Sequence, residues 1–324
     1  MKKMMKAIVV HEYGEPEVMH LEEVEVPRPG PGQVLVRVYA VGVNPVDTYL
    51  RSGLYAYAPK LPYTPGKDAA GVVEDIGPGV GRFSPGDTVY TAGSISGTYA
   101  QYTLCDEQQL GRLPENVSFE EGAGIWTPYA TAYRALFQKA RCQSGETVLI
   151  HGASGGVGIA AIQWSKNAAL RIAGTAGSPE GLKIVESAGA DAVFDHSNED
   201  HFSEIREWSQ DGVAVIIEML ANKNLERDFE CLAMFGRIVV VGSRGSLDFS
   251  PRQIMTKDAV IYGMSLFNAA ADDLKEIHHA IYDGLSAGFL KPYVGRRFAL
   301  ADAAQAHHEI IENKALGKIV LNVE

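Results

Sequence analysis

The run Glu146-Thr-Val-Leu-Ile-His-Gly-Ala-Ser-Gly-Gly-Val-Gly-Ile-Ala-Ala-Ile-Gln constrains this chain more than any other stretch. A short apolar strand, Thr147 to Ile150, runs into glycines at 152, 155, 156 and 158, and an apolar helical pattern follows at once. Glycines there let the backbone turn sharply and approach a pyrophosphate, and the helix N-terminus offers it unpaired N–H groups and a positive dipole end. Gly152, Gly155 and Gly158 fit G-x-x-G-x-x-G, a variant of the usual spacing. What lifts the pattern above a tight turn is its place between a β-branched strand and an apolar helix. The same residues also match the nucleophile elbow G-x-S-x-G at Ser154. An elbow does not need the glycines at 155 and 158, and Asp195 and His196 are adjacent rather than separated as such an enzyme requires. Ser154 therefore reads as a donor to a cofactor phosphate.

A parallel sheet is expected around that turn. Strand candidates at 147–151, 170–175, 191–194, 213–218 and 237–242 alternate with helices at 156–168, 179–189, 200–209 and 224–234, the rhythm of βαβ units. Val215-Ile-Ile and Ile238-Val-Val-Val are continuous apolar runs, as strands buried on both faces should be. Up to about residue 120 the pattern is different: alternating strands such as Gln33 to Ala40 between Gly/Pro turns. A long helix is predicted over Gly122 to Ala140. Beyond 265 come a helix (Ala271 to Gly288), an extended piece (Pro292 to Phe298), a second helix (Ala301 to Asn313) and a last strand (Lys318 to Val323). This tail can complete the first domain. The fold class expected is α/β with two domains, a β-rich one over 1–124 and 266–324 and a doubly wound parallel-sheet one over 125–265.

Charge narrows the partners. With 29 basic against 40 acidic residues the net charge is −11, which disfavours phosphate backbones and anionic membranes. No apolar run reaches the roughly 18 residues that span a bilayer. Cys105, Cys142 and Cys231 form no CxxC pair, and read as reduced thiols of a cytoplasmic protein.

Cofactor choice follows from the second strand. NAD sites carry an acidic residue about 20 positions on, where it holds the ribose 2′-hydroxyl. Here the strand tip is Thr175-Ala-Gly-Ser, with no carboxylate. That leaves room for a 2′-phosphate, with Ser178 as a donor and Lys183 as a positive partner, and favours NADPH. Glu180 is expected to point to solvent. Arg244, in the loop Gly242-Ser-Arg-Gly, can face cofactor phosphate.

Several blocks carry a family resemblance: Gly42-Val-Asn-Pro-Val-Asp-Thr-Tyr-Leu-Arg-Ser-Gly, Leu61-Pro-Tyr-Thr-Pro-Gly-Lys-Asp-Ala-Ala-Gly, His151-Gly-Ala-Ser-Gly-Gly-Val-Gly, Ile217-Glu-Met-Leu-Ala-Asn and Val241-Gly-Ser-Arg-Gly. With them the chain resembles the zeta-crystallin type of NADPH:quinone oxidoreductase, in the medium-chain dehydrogenase/reductase superfamily. The resemblance implies a GroES-like catalytic domain and a Rossmann domain, with NADPH in the cleft between them. By position it implies cofactor contacts at Tyr49, Ser154, Gly155, Gly156, Val157 and Gly177. Lys183, His196, Asn224, Ser243 and Arg244 continue the set, and Met264, Ser265 and Leu266 would pass near the nicotinamide. It also implies a homodimer or homotetramer, and one-electron reduction of a quinone, although the residues themselves do not separate one electron from two.

Zinc alcohol dehydrogenases look similar but place a cysteine where Asn44 stands and a His-Glu pair where Lys67-Asp68 stands. A zinc site needs three or four converging Cys, His or carboxylate groups. The adjacent pairs His278/His279 and His307/His308 diverge by about 100° on a helix and do not chelate. No metal is expected. Without one, a nearby hydrogen-bond donor must stabilise developing oxyanion charge. The candidates are Asn44, Tyr49 and Tyr55, with Thr64 and Lys67 lining the same pocket. Asp47 reads as a cap, and Trp126 as a cleft wall or a core residue. Two other functions stay open on the sequence: reduction of an enone or enoyl double bond in the same cleft, with Tyr49 or Tyr55 as proton donor, and a non-enzymatic role in RNA binding or crystallin-like packing.

Overall fold

The structure is a computed structural model that describes residues 2–54, 58–313 and 316–323. In chain order the strands are β1 (Met4–Val10), β2 (Met19–Glu25), β3 (Gln33–Val43), β4 (Asp68–Ile76), β5 (Thr88–Thr91), β6 (Tyr102–Asp106), β7 (Leu110–Arg112), β8 (Thr147–Ile150), β9 (Arg171–Ala176), β10 (Ala192–Asp195), β11 (Val213–Glu218), β12 (Leu232–Val240), β13 (Val260–Gly263), β14 (Val294–Ala299) and β15 (Lys318–Asn322). The helices are α1 (Pro45–Arg51), α2 (Phe119–Ala123), α3 (Thr131–Tyr133), α4 (Gly156–Asn167), α5 (Pro179–Ala188), α6 (His201–Ser209), α7 (Ala221–Cys231), α8 (Arg252–Lys257), α9 (Ala271–Ser286) and α10 (Ala303–Glu312). The chain divides into two compact units, one of Met1–Thr127 with Pro292–Glu324 and the other of Pro128–Lys291.

The first unit is built on a seven-stranded sheet. Its path is β14-β15-β3-β4-β5-β7, with β6 also paired to β3, and β1 and β2 form a separate antiparallel ribbon. β3 is its spine. The alternation read over 33–40 continues to Val43, and the strand pairs with β4, β6 and β15. The C-terminal tail enters here, with β15 antiparallel to β3 and β14 parallel to β15. Val38, Val41, Val43, Ile319 and Leu321 share one buried core with Ala303 and Ala306 of α10.

The second unit is a six-stranded parallel sheet in the order β10-β9-β8-β11-β12-β13. Val148, Leu149, Ile150, Val215, Ile216 and Ile217 have no exposure, which explains the uninterrupted apolar spelling of β8 and β11. Phe202 and Ile205 of α6 and Leu225 and Phe229 of α7 close one core with β8, β11 and β12. α5 shows local chemistry at both ends. Ser178 caps it by accepting from the Gly181 N–H, and Gly189 at φ 108° ends it in the left-handed conformation that glycine tolerates.

Several elements differ from the sequence reading: α8 and β13 are not expected from it, β12 begins earlier than 237, and three further differences concern the path of the chain. The helix expected over Gly122 to Ala140 is α2, a π-helical turn (Trp126–Ala130), α3 and a second π-helical turn (Arg134–Lys139). Pro128 has no N–H for an α-helical ladder, which accounts for a change of winding at that point. α7 stops at Cys231, earlier than expected, because β12 already begins at Leu232 and turns through Phe235 at φ 61°. α9, read as part of a tail over 266–324 that completes the first domain, packs within the second unit, which runs from Pro128 to Lys291, because its side chains bond back to the helical segment after Pro128. Tyr133 Oη donates to Glu276 at 2.7 Å, and Arg134 pairs with Asp273 at 2.8 Å.

Candidate functional site

In the second unit, the residues proposed there for the cofactor, Lys183 apart, lie in the loop or the first helical turn that follows the C-terminal end of a parallel strand. Ser154, Gly155, Gly156 and Val157 follow β8, Gly177 and Ser178 follow β9, and His196 follows β10. Asn224 follows β11, Ser243 and Arg244 follow β12, and Met264, Ser265 and Leu266 follow β13. Lys183 stands exposed on α5 with Glu180, which points to solvent as read. The strand order reverses between β8 and β11, and the crevice at such a switch point is where open parallel sheets bind ligands.

The turn after β8 is shaped by its glycines. Gly152 has φ 56°, and a Cβ on Gly158 would stand 2.5 Å from the Ala153 Cα, so α4 packs against the turn only with glycine there. Gly155 is the N-cap of α4 and brings no capping side chain of its own, and its N–H turns back to the Gly152 carbonyl at 3.1 Å, so the first turn of α4 opens on backbone amides. At the tip of β9, a Cβ on Gly177 would lie 2.4 Å from His196 Nε2, which places the imidazole against that glycine. Farther along, the Arg244 N–H donates to Asn222 Oδ1 at 2.9 Å, and the Met264 N–H to the Val240 carbonyl at 3.0 Å.

The first unit holds a different polar cluster. Asn44 is the N-cap of α1 in a capping box with Asp47, whose Oδ2 accepts the Asn44 N–H at 2.9 Å. Asp47 is thus a cap, as read, and burial pushes its carboxyl up to about 7. The Asn44 amide donates to Asp68 Oδ2 at 3.0 Å and to the Gly42 carbonyl at 3.4 Å, and its Oδ1 accepts from Lys318 Nζ at 2.5 Å. Asp68 also accepts from Lys318 Nζ at 3.2 Å, from the Thr127 N–H at 3.1 Å and from Thr127 Oγ1 at 2.7 Å. Asn44 is only 2% exposed, so its amide is engaged inside the protein and is not offered to a substrate. Tyr49, on α1, is half-buried. Tyr55 lies outside the described residues. Thr64 and Lys67 line a cavity of about 640 Å³ with Leu50, Pro62, Tyr63 and Ser96. Trp126 is buried and stacks on Tyr90, with centroids 6.5 Å apart, the packing alternative of the two readings.

The donor set at Asn44, Lys67 and Asp68 does not fit a zinc ion. Asn44 Oδ1 and Asp68 Oδ2 both receive the Lys318 ammonium, a cation that would repel a second one. Sequence reasoning missed Lys318 and Thr127. A lysine opening the apolar run Ile319-Val-Leu spells an exposed strand end, yet Lys318 is 5% exposed. It also missed Glu218 and Asp228, although a carboxylate closing the apolar run Val215-Ile-Ile was a visible anomaly.

A β-rich unit joined to a parallel-sheet unit with a glycine cradle at its switch point defines a nucleotide-dependent dehydrogenase or reductase. Comparison with known proteins agrees. The alcohol dehydrogenase GroES-like domain model matches residues 30–115, and the zinc-binding dehydrogenase model matches residues 156–281. Quinone oxidoreductases of Rattus norvegicus and Homo sapiens are each 46% identical over 323 residues, covering 99% of this chain and 98% of theirs. The structure of Escherichia coli quinone oxidoreductase complexed with NADPH superposes with a TM-score of 0.90 at 29% identity, over 98% of this chain and 99% of that one. The chain belongs to the quinone oxidoreductase family of the medium-chain dehydrogenase/reductase superfamily.

Proposed function

We propose that this chain is a zinc-independent NADPH:quinone oxidoreductase. The observation that carries the reading is the end-to-end identity with quinone oxidoreductases, at 46% over 99% of the chain. The glycine turn that opens α4 at the switch point supports it. NADPH, when bound, supplies the reducing equivalents. The chain's own residues do the rest. Main-chain amides at Gly156 and Val157, with the Ser154 hydroxyl, hold the pyrophosphate, and Gly155, whose own N–H goes to the Gly152 carbonyl, lets the backbone come close to it. Gly177, Ser178 and Lys183 receive the 2′-phosphate, and His196 lies against the adenine. Asn224, Ser243 and Arg244 fix the loops opposite, and Met264, Ser265 and Leu266 flank the nicotinamide.

Tyr49 is the proposed hydrogen-bond donor to the quinone oxygen, and Tyr55 is the other candidate donor. Asn44 is a positioning residue, because it caps the helix that carries Tyr49 and is itself held by Lys318 and Asp68. Quinones accept electrons readily, so a neutral donor suffices where a ketone would need a Lewis acid. Among the described residues no helix is long and apolar enough to cross a membrane. We assign the enzyme to the cytoplasm on its scattered cysteines, and a homo-oligomeric state on its family.

Steady-state turnover with NADPH tests the reading, comparing 1,4-benzoquinone and 9,10-phenanthrenequinone with a simple enone. Quinone turnover should exceed enone turnover by a wide margin. The reverse preference removes the quinone assignment and leaves a double-bond reductase.

A further inference from the structure

Beneath the nucleotide loops lies a chain of polar side chains whose buried members, His151, Thr175, Glu218 and Asp228, no step above uses. His151 follows β8, Glu218 ends β11 and Asp228 is on α7. His151 Nε2 lies 2.9 Å from Asp228 Oδ1 and 3.7 Å from Glu218 Oε2, and both carboxylate side chains have no exposure. Glu218 Oε1 accepts from the Leu220 N–H and from Asn224 Nδ2, the latter at 3.2 Å, and so pins the loop that opens α7. On the other side His151 Nδ1 meets Thr175 Oγ1 at 3.4 Å, and that oxygen also meets the Gly152 N–H at 3.2 Å and His196 Nδ1 at 3.3 Å. The chain runs from Asn224 through Glu218, His151 and Thr175 to Gly152 and His196. It therefore ties together the loops after β8, β10 and β11.

This group has an unbalanced proton count. Glu218 Oε2 and Asp228 Oδ2 have no hydrogen-bond partner, although both are buried. One imidazole N–H cannot serve two carboxylates, and the Glu218 and Asp228 carboxylates, with oxygens within 4.8 Å of each other, cannot both be ionised in a buried site without heavy cost. A proton held between them turns one orphaned acceptor into a donor. We propose that His151, Glu218 and Asp228 form a proton-sharing strut that positions the loops after β8 and β11 for NADPH. Glu218 and Asp228 are positioning residues. The inference rests on the cofactor reading above.

Burial favours the protonated carboxyls, raising Glu218 to about 7 and Asp228 to about 8. It also keeps His151 neutral. Other groups face the strut. From α6 comes His201, held below its ordinary 6.5 by burial, with Arg227 and Glu204 beyond it. From α7 comes Cys231, whose buried thiol stays protonated, with Lys257 and Glu230 beyond it. His196 closes the far end through Thr175.

The test is NADPH binding by fluorescence titration of the full chain from pH 7 to pH 9 at fixed ionic strength. The coenzyme's 2′-phosphate has a second pKa of about 6 and stays charged throughout. Wild-type Kd should rise about tenfold as the shared proton leaves, the size of a one-unit shift. Glu218→Gln keeps the acceptor for Leu220 and Asn224 and supplies a permanent N–H toward Asp228. Its Kd should stay within about threefold of wild type at pH 7 and remain flat to pH 9. Glu218→Ala removes the acceptor and should bind at least about tenfold more weakly at both pH values. If Glu218→Ala fails to fold by circular dichroism, Asp228→Asn carries the comparison with the same flat profile expected. A flat wild-type profile, or a Glu218→Gln profile that tracks a sloping wild type, overturns the strut. So does stoichiometric zinc in the purified protein, since a metal would then neutralise the pair. No NADPH binding by wild type at any pH overturns the cofactor reading instead.

Discussion

At the scale of the residue, backbone and charge set sharp limits. A methyl on Gly158 would drive α4 off the turn after β8, since its carbon would sit 2.5 Å from the Ala153 backbone. Gly158→Ala should cost roughly 1–3 kcal/mol of stability, as overpacking does, and weaken NADPH by more than tenfold. Denaturant melts and fluorescence titration read the two effects, and an unaffected Kd would separate the turn from the cofactor. Lys318→Met leaves Asp68 buried with its cation gone. Breaking a buried pair by removing one partner costs roughly 3–5 kcal/mol, and Asp68→Asn added to it should return part of the loss. Lys183 is exposed, so its loss should leave folding unchanged. Lys183→Ala should raise the Kd of NADPH about tenfold and that of NADH little, because only the former carries the 2′-phosphate. Equal losses for both coenzymes would deny Lys183 that contact.

At the scale of the element, the strands and helices of the second unit were legible because each carries a one-dimensional signal. β8 and β11 are spelled by apolar runs, and α5 by its Ser178 cap and Gly189 stop. Elements without such a signal were missed or misjudged. β13 is a short edge strand that needs β12 to be one, and the π-helical turn that contains Pro128 depends on which carbonyl that residue leaves unserved. β15 shows how an element can be legible while its importance is not. It pairs along β3 from Val43 to Ala40, and its side chains Ile319 and Leu321 enter the core of the first unit. A chain truncated after residue 317 should therefore lose the fold of that unit, not merely a tail. Loss of native near-ultraviolet circular dichroism in the truncated protein checks it, and a native spectrum would show β15 to be dispensable.

At the scale of the whole molecule, buried titratable groups give stability a two-sided dependence on pH. Asp47 and Glu218 are raised to about 7 and Asp228 to about 8, so the fold holds protons that the unfolded chain releases. Their contribution is full below the ordinary carboxyl range and is lost as pH rises toward 8. His307 is pushed the other way, to about 3, by burial, and His151 and His201 are lowered with it. Theirs is full above 6.5 and is lost as pH falls. Thermal melts from pH 4 to pH 9 should show a maximum between the limbs. Asp228→Asn should flatten the alkaline limb and His307→Gln the acid one, and unchanged limbs would deny these groups the role. His307 and His308 also show why adjacent histidines do not chelate. His307 is buried against Tyr99 at 3.0 Å, and His308 is half-exposed between Glu17 and Glu312.

The amino-acid order alone determined the two-unit plan, the glycine turn and the choice of NADPH, because backbone freedom, apolar periodicity and the missing carboxylate after β9 are properties of neighbours along the chain. The buried groups were decided only by tertiary structure. Lys318 meets Asn44 and Asp68, and His151 meets Glu218 and Asp228, across sequence separations of 274, 250 and about 70 residues. Whether a charged side chain ends in water or in the core depends on what the fold lays over it. No spacing along the sequence carries that information.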